Sequence, residues 1–310
     1  MATAAATAEI LLSRLRPDRD NWFIASVVED WWNAYVEAGN LHLDFALPNS
    51  RFRASWAGQC AKQVAYQVHG VEPTNPITVA DAWRFNIGKM LHEHIQDVVQ
   101  RRFPGSLVEV KVKLGEHGSG HMDVLVKRQD GSVERTISVE LKTINGFGFK
   151  KAVQKEGPRV TAVMQGAINA YSMDPRPDEM MIAYFSLEVV SPNEFRRMSG
   201  LNSEYNRFAA QWTYSKDEYS VIAKQELERL ERIVRTVDKV GPAGVPRIVP
   251  DPRLGPHLVT NPAKNVLEIT QGRDRGREDF CWHCSYCPFK AKCVEDLEES
   301  TRTLADDEVA

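Results

Sequence analysis

The sequence predicts an α/β fold, and three observations predict it. Apolar residues recur every three or four positions up to about Arg102, alternate between Leu107 and Thr143, and then return to helical spacing. An Asp-Gly pair, Asp130-Gly131, stands between two of the alternating runs and signals a hairpin. The resulting order of helix, three strands, helix, strand and helices describes an α/β core with helical additions at both ends.

Each element follows from its pattern. Residues 22–38 (WFIASVVEDWWNAYVEA) carry apolar groups at mixed helical spacing and stop at Gly39, predicting an amphipathic helix or helix pair. Residues 54–69, containing Cys60 and Tyr66, predict another helix. From Thr78 to about Arg102, residues Val79, Trp83, Ile87, Leu91 and Ile95 form one helical stripe, which Pro104-Gly105 ends. In Leu107–Leu114, Val108, Val110 and Val112 alternate with Glu109, Lys111 and Lys113, the pattern of a strand. His121–Lys127 and Val133–Thr143 predict two further strands around the Asp-Gly turn. Helix is expected at Thr161–Ser172, strand at Met180–Val190, and helix again over residues 203–239. A Pro/Gly-rich stretch, 241–256, then leads to a cysteine cluster, and residues 294–310 hold seven acids and one Arg, ending as a solvated tail.

Composition narrows the function classes. Across 310 residues, 43% are hydrophobic and seven are Trp, enough for a sizeable core in one elaborated domain or two. No apolar run approaches the roughly 18–20 residues of a membrane span. The start, MATAAATAEILLSRLRPDRD, lacks the basic and apolar regions of a secretory signal, so a cytoplasmic protein is expected. The balance of 39 Lys+Arg against 42 Asp+Glu excludes a uniformly basic nucleic-acid coat but not a local basic groove.

Candidate chemistry begins in TISVELKT, residues 136–143. Ile137, Val139 and Leu141 share one face of a strand, and Glu140 and Lys142 share the other. Pairing across the Asp-Gly turn brings Asp123 beside Glu140. Two carboxylates on adjacent strands suit an oxygen-ligated Mg²⁺ or Mn²⁺, and Lys142 is a cation that does not compete for the metal. The plainer alternative is a solvated strand face with a Glu–Lys pair. His92 shares a helical face with Gly88, and its neutral imidazole suits a mixed nitrogen and oxygen site.

The motifs G-x-x-x-H (Gly88 to His92), G-x-x-D (Gly120 to Asp123) and E-x-K (Glu140, Lys142), followed by a Gln-containing helix, resemble the RecB-like branch of the PD-(D/E)xK nucleases. The resemblance implies His92, Asp123, Glu140 and the Leu141 carbonyl as metal ligands, and Lys142 as the catalytic lysine. It also implies a restriction-endonuclease-like core of mixed β-sheet flanked by helices. The family helix carries Gln and Tyr four residues apart, whereas Gln165 and Tyr171 stand six apart and Asn169 occupies the four-residue position. Gln165 is carried over as a catalytic candidate and Tyr171 is not.

Residues 281–293 read CWHCSYCPFKAKC, a thiolate spacing that points to metal, either zinc or an iron–sulfur cluster. The RecB-like relatives include an iron–sulfur subgroup, the AddB-type nuclease domains and CRISPR-associated exonucleases. Its signature is one Cys before the nuclease motifs and C-x2-C-x5-C after them. The resemblance therefore implies a 4Fe-4S cluster on Cys60, Cys284, Cys287 and Cys293, in a helical cap formed by the N- and C-terminal segments. Cys281 is then a spare thiol; alternatively the four C-terminal cysteines hold the metal and Cys60 is spare. Closing so long a loop is costly, so the cluster is expected to act as a staple.

From Lys142 to Val160 the chain carries Lys142, Lys150, Lys151, Lys155 and Arg159 against Glu156 alone, with Phe147 and Phe149 among glycines. This segment is expected to be a mobile loop that neutralises phosphates and stacks on bases of a single strand, or else a solvated loop with its aromatics in the core. Arg273, Arg275 and Arg277 are a second candidate contact. The expected organisation is 1–77 N-terminal helical segment with Cys60, 78–200 nuclease core, 201–257 helical arm and linker, 258–298 iron–sulfur segment, and 299–310 acidic tail. The expected function is metal-dependent hydrolysis of DNA phosphodiesters, as an exonuclease on single strands or ends in recombination or repair, with possible protein partners there. The alternative is a catalytically silent iron–sulfur nucleic-acid-binding subunit. A small electron-transfer protein would leave the ordered acids and lysine unexplained. No Walker motif supplies a helicase motor.

Overall fold

A computed structural model of the chain describes residues 22–37, 50–74, 79–195, 204–247 and 287–296, together with residues 6, 7 and 11. They fall into two compact units, one taking in residues up to Ala57 and Trp83–Arg229, the other Gly58–Ala82 and the chain from Leu230 onward.

The elements in order are α1 (Trp22–Glu37), β1 (Phe52–Arg53), α2 (Ala61–His69), α3 (Val79–Arg102), β2 (Leu107–Leu114), β3 (Gly118–Asp130), β4 (Val133–Ile144), α4 (Gly146–Lys151), α5 (Val160–Tyr171), β5 (Glu179–Ser186), β6 (Ala209–Ser215) and α6 (Lys216–Val240). Five strands run in the order β1-β3-β4-β5-β6, and β2 also pairs with β3, completing a six-stranded sheet. β2, β3 and β4 are antiparallel neighbours, β4 and β5 are parallel, and β5 and β6 are antiparallel. A parallel neighbour needs a crossover, which α4, a π-helical turn at Ala152–Glu156 and α5 supply.

Both faces of the central strands are covered. Val124, Val126, Ile137, Val139, Leu141, Met181 and Ala183 build a core with Phe23, Ile24 and Val27 of α1 and Ile95, Val98 and Val99 of α3. The opposite face of β4 meets α5. There an added Cβ on Gly166 would stand 3.0 Å from Met180 Sδ and 3.3 Å from Glu140 Cβ, so a glycine lets the helix lie close over the strand. The continuous apolar run of β5 is what a strand buried on both faces requires. The result is the α/β architecture the sequence predicts, a mixed six-stranded sheet flanked by helices. No helix among the described residues is long and apolar enough to cross a membrane.

Four expectations change. The helix expected over 203–239 begins only at Lys216, because AAQWTYS at Ala209–Ser215 is a strand with Trp212 and Tyr214 buried. Aromatic and β-branched residues favour the sheet, and Ser215 and Glu218 form a capping box where the helix starts. The helix expected over 54–69 is split, since Gly58 takes φ +71° between a 3-10 turn at Ala54–Trp56 and α2. The segment after β4 is helical rather than a loop: the Asn145 side chain accepts the Gly148 N–H at 2.8 Å and caps α4. Strand β5 ends at Ser186, earlier than the expected Val190.

Candidate active site

The hairpin register sets the site. Val124 pairs with Val139 and Leu125 with Ser138, so one step beyond, Asp123 of β3 comes level with Glu140 of β4. The Asp123 carboxylate accepts the Leu141 N–H at 2.7 Å, closing the end of the ladder with a side chain. Glu140 is 1% exposed and Asp123 9%. Lys142, two residues along the same face, brings Nζ within 2.7 Å of Glu140 Oε1 and donates to Gln165 Oε1 of α5 at 3.1 Å. Asp123, Glu140, Lys142 and Gln165 therefore converge.

Burial first, and then the neighbouring Glu140 charge, push the Asp123 carboxyl well above the usual carboxylate range. Burial raises Glu140 as well, although the Lys142 ammonium and the Asn169 amide favour its charged form. For Lys142 burial works downward, but Glu140 and Asp123 outweigh it and hold the ammonium above the ordinary lysine value. Burial, helped by the Lys142 charge, lowers His92 to about 4. At neutral pH its imidazole is therefore uncharged, with a nitrogen lone pair to offer.

These features fit a divalent cation. Glu140 is buried with the Lys142 ammonium 2.7 Å from Oε1, and a charged carboxylate so far from water is costly unless further positive charge meets it. Two adjacent buried acids, one lysine and a neutral imidazole leave a deficit of positive charge that Mg²⁺ or Mn²⁺ would fill.

Sequence reasoning missed four neighbours. Asn169 of α5 is fully buried, donates to the His121 carbonyl at 2.9 Å and acts on Glu140; its spacing of four from Gln165 was the signal. Gln96 of α3, 4% exposed, donates to Glu109 Oε1 at 2.7 Å and to the Asp123 carbonyl at 3.1 Å. Glu109 adopts φ +50°, a left-handed backbone that costs a non-glycine residue on the order of 1 kcal/mol or more, and its charge acts on Asp123 and Glu140. Glu93 has both carboxylate oxygens buried without hydrogen-bond partners, and burial raises its pKa.

The basic segment divides. Phe149 is buried in the core, whereas Phe147 is 70% exposed with the Lys151 ammonium 5.8 Å from its ring centre. Lys150 pairs with Glu194 at 2.8 Å. Arg273, Arg275 and Arg277 lie outside the described residues.

The second unit holds Cys60, Cys287 and Cys293; Cys281 and Cys284 lie outside the described residues. Burial raises the Cys287 thiol to about 11, and Cys60 and Cys293 are near enough to add to the rise. Arg247 donates through Nε to Cys293 Sγ at 3.0 Å and through Nη2 to the Cys293 carbonyl at 3.1 Å. Polar bonds tie the flanking segments. Lys62 of α2, 3% exposed, donates to the Pro242 and Ala243 carbonyls at 2.9 and 3.1 Å, and Tyr66 donates to Asp296 at 2.6 Å. Among the described residues the three sulfurs are not close enough together to form a ligand cluster, and a metal taking Cys287 would have to displace its proton.

No family model matches the chain, and no curated protein matches it. Among solved structures, an alkaline exonuclease from Laribacter hongkongensis, LHK-Exo, is similar at 14% sequence identity and a TM-score of 0.36. The match covers 68% of this chain and 96% of that one. The functional reading rests instead on the residues of the site itself.

Proposed function

We propose that the chain is a metal-dependent nuclease that hydrolyses DNA phosphodiesters, acting as an exonuclease on single strands or ends in recombination or repair. The observation that carries it is the pairing of buried Asp123 and Glu140 on adjacent strands, with the Lys142 ammonium 2.7 Å from Glu140. Asp123, Glu140, His92 and the Leu141 carbonyl are the proposed holders of Mg²⁺ or Mn²⁺. When bound, the ion supplies Lewis-acid charge for the phosphate and makes an attacking water more acidic.

The remaining chemistry belongs to the side chains. Lys142 is charged at neutral pH, so it stabilises negative charge accumulating on the phosphate and orients water by donation. Gln165 fixes the direction of the Lys142 ammonium through its side-chain oxygen. Asp123 holds β4 in place by accepting the Leu141 N–H, so the strand that carries Glu140 cannot slide against its partner. Exposed Phe147 and the Lys151 beside it offer a stacking face and a cation to a single strand. A 4Fe-4S cluster on Cys60, Cys284, Cys287 and Cys293 is proposed to close the cap of N- and C-terminal segments, in a cytoplasmic enzyme.

Labelled substrates test the reading. With Mn²⁺, wild type should release labelled nucleotides from linear single-stranded DNA and leave circular single-stranded DNA intact, and Glu140→Ala should cleave neither. Equal cleavage by wild type and Glu140→Ala would remove the assigned site; cleavage of the circle would replace an exonuclease with an endonuclease.

A further inference from the structure

We propose that Gln96 is a positioning residue that clamps the helix carrying His92 to the strands carrying Glu109 and Asp123, and so sets the affinity of the site for its divalent cation. The inference rests on the proposed cation site formed by Asp123, Glu140 and His92.

Gln96 lies four residues after His92 on α3, so the two side chains leave the same side of the helix one turn apart. Its amide nitrogen spends both hydrogens on the site: one goes to Glu109 Oε1 at 2.7 Å and the other to the Asp123 carbonyl at 3.1 Å. One buried amide thus connects three elements, α3, β2 and β3, at the point where two proposed cation ligands must arrive together.

The clamp also accounts for Glu109. A glutamate within a strand has no local reason to adopt φ +50°, and the bond from Gln96 supplies one by holding its carboxylate against α3. In that position its charge acts on Asp123, Glu140 and Glu93, adding to the negative field of the site. Carbon in place of the Gln96 amide would release α3 from β3 and leave Glu109 without its donor. The side chains that would touch the ion would remain, but their mutual placement would be lost.

Two variants separate geometry from charge. Gln96→Met keeps the length of the side chain and removes both donated bonds. Glu109→Gln keeps an oxygen for Gln96 to reach and removes the charge. Mn²⁺ binding is followed by the loss of the free-ion electron paramagnetic resonance signal, with Asp123→Asn as the control that abolishes binding. Thermal melts without metal check the fold. Gln96→Met should weaken Mn²⁺ binding by about 10–100-fold. Glu109→Gln should weaken binding by less. Wild-type Mn²⁺ affinity in a folded Gln96→Met variant overturns the proposal while leaving the cation site standing. Should Gln96→Met not fold, a loss in Glu109→Gln equal to or greater than about tenfold assigns the effect to charge and overturns the clamp. If wild type binds no Mn²⁺, the site and the clamp fall together.

Discussion

Burying the Asp123 carboxyl beside Glu140 costs stability. Its carboxyl is pushed upward by burial and by Glu140, so ionising it at neutral pH opposes folding when no cation is present. Asp123→Asn keeps an acceptor for the Leu141 N–H and removes the charge. It should abolish Mn²⁺ binding yet raise metal-free stability by about 1 kcal/mol, roughly 2–4 °C in melting temperature. A drop in metal-free melting temperature would contradict this account of the acid pair. His92 gives a pH test. Its folded value of about 4 lies below the ordinary 6.5, so between these values the unfolded chain binds a proton that the folded chain does not. Stability therefore rises with pH across that window through His92, and His92→Gln should flatten the rise; an unchanged slope in denaturant titrations at pH 4.5 and 6.5 would argue against a buried neutral imidazole. Sequence legibility is clearest here. Alternation placed Glu140 and Lys142 on one face, and the Asp-Gly turn placed Asp123 opposite. Gln96 and Glu109 escaped notice because a buried amide and a left-handed glutamate leave no periodic trace.

Elements position these residues by close approach. Gly120, three residues before Asp123, has no room for a side chain: an added Cβ would meet Asn169 Oδ1 at 2.4 Å and Ala54 Cβ at 2.8 Å. Gly120→Ala should therefore cost about 1–3 kcal/mol and disturb the Asn169 bond to His121, read as a lowered melting temperature together with weakened cleavage. Wild-type stability would show that the neighbours give way. Strands with clean alternation were legible, β2 and β4 above all. β6 was not: Trp212 and Tyr214 alternate with Gln211, Thr213 and Ser215, but the run is short and leads directly into a helix, and the Ser215–Glu218 capping box marks the join. The segment after β4 misled through its glycines and lysines, which look mobile until the Asn145 cap is recognised. In the second unit, Lys62 and Tyr66 bind segments flanking the cysteines without any metal. Lys62→Met, which leaves two carbonyls without that donor, should lower the stability of the cluster-free chain by about 1–3 kcal/mol. No change would mean that these bonds do not hold the segments together.

Across the whole molecule, a formal charge of -3 says little about what the chain binds. Positive charge is gathered after β4, and the acidic C-terminal residues offset it in the total. The mixed sheet brings residues from β3, β4 and α5 to one place, which no single segment could do. A cluster on the four cysteines would give an anaerobically purified protein broad visible absorption and bound iron; a colourless protein with stoichiometric zinc would replace the iron–sulfur proposal without touching the sheet site. The central claim is hydrolysis at Asp123, Glu140 and Lys142, and one comparison tests it most directly: the single-turnover rate of cleavage of end-labelled single-stranded DNA at saturating Mn²⁺ for wild type, Glu140→Gln and Lys142→Met. The account predicts Mn²⁺-dependent cleavage by wild type and a loss on the order of 10²–10³-fold in each variant, measured at a temperature where its melt shows it folded. Rates within about twofold of wild type in either folded variant would contradict it.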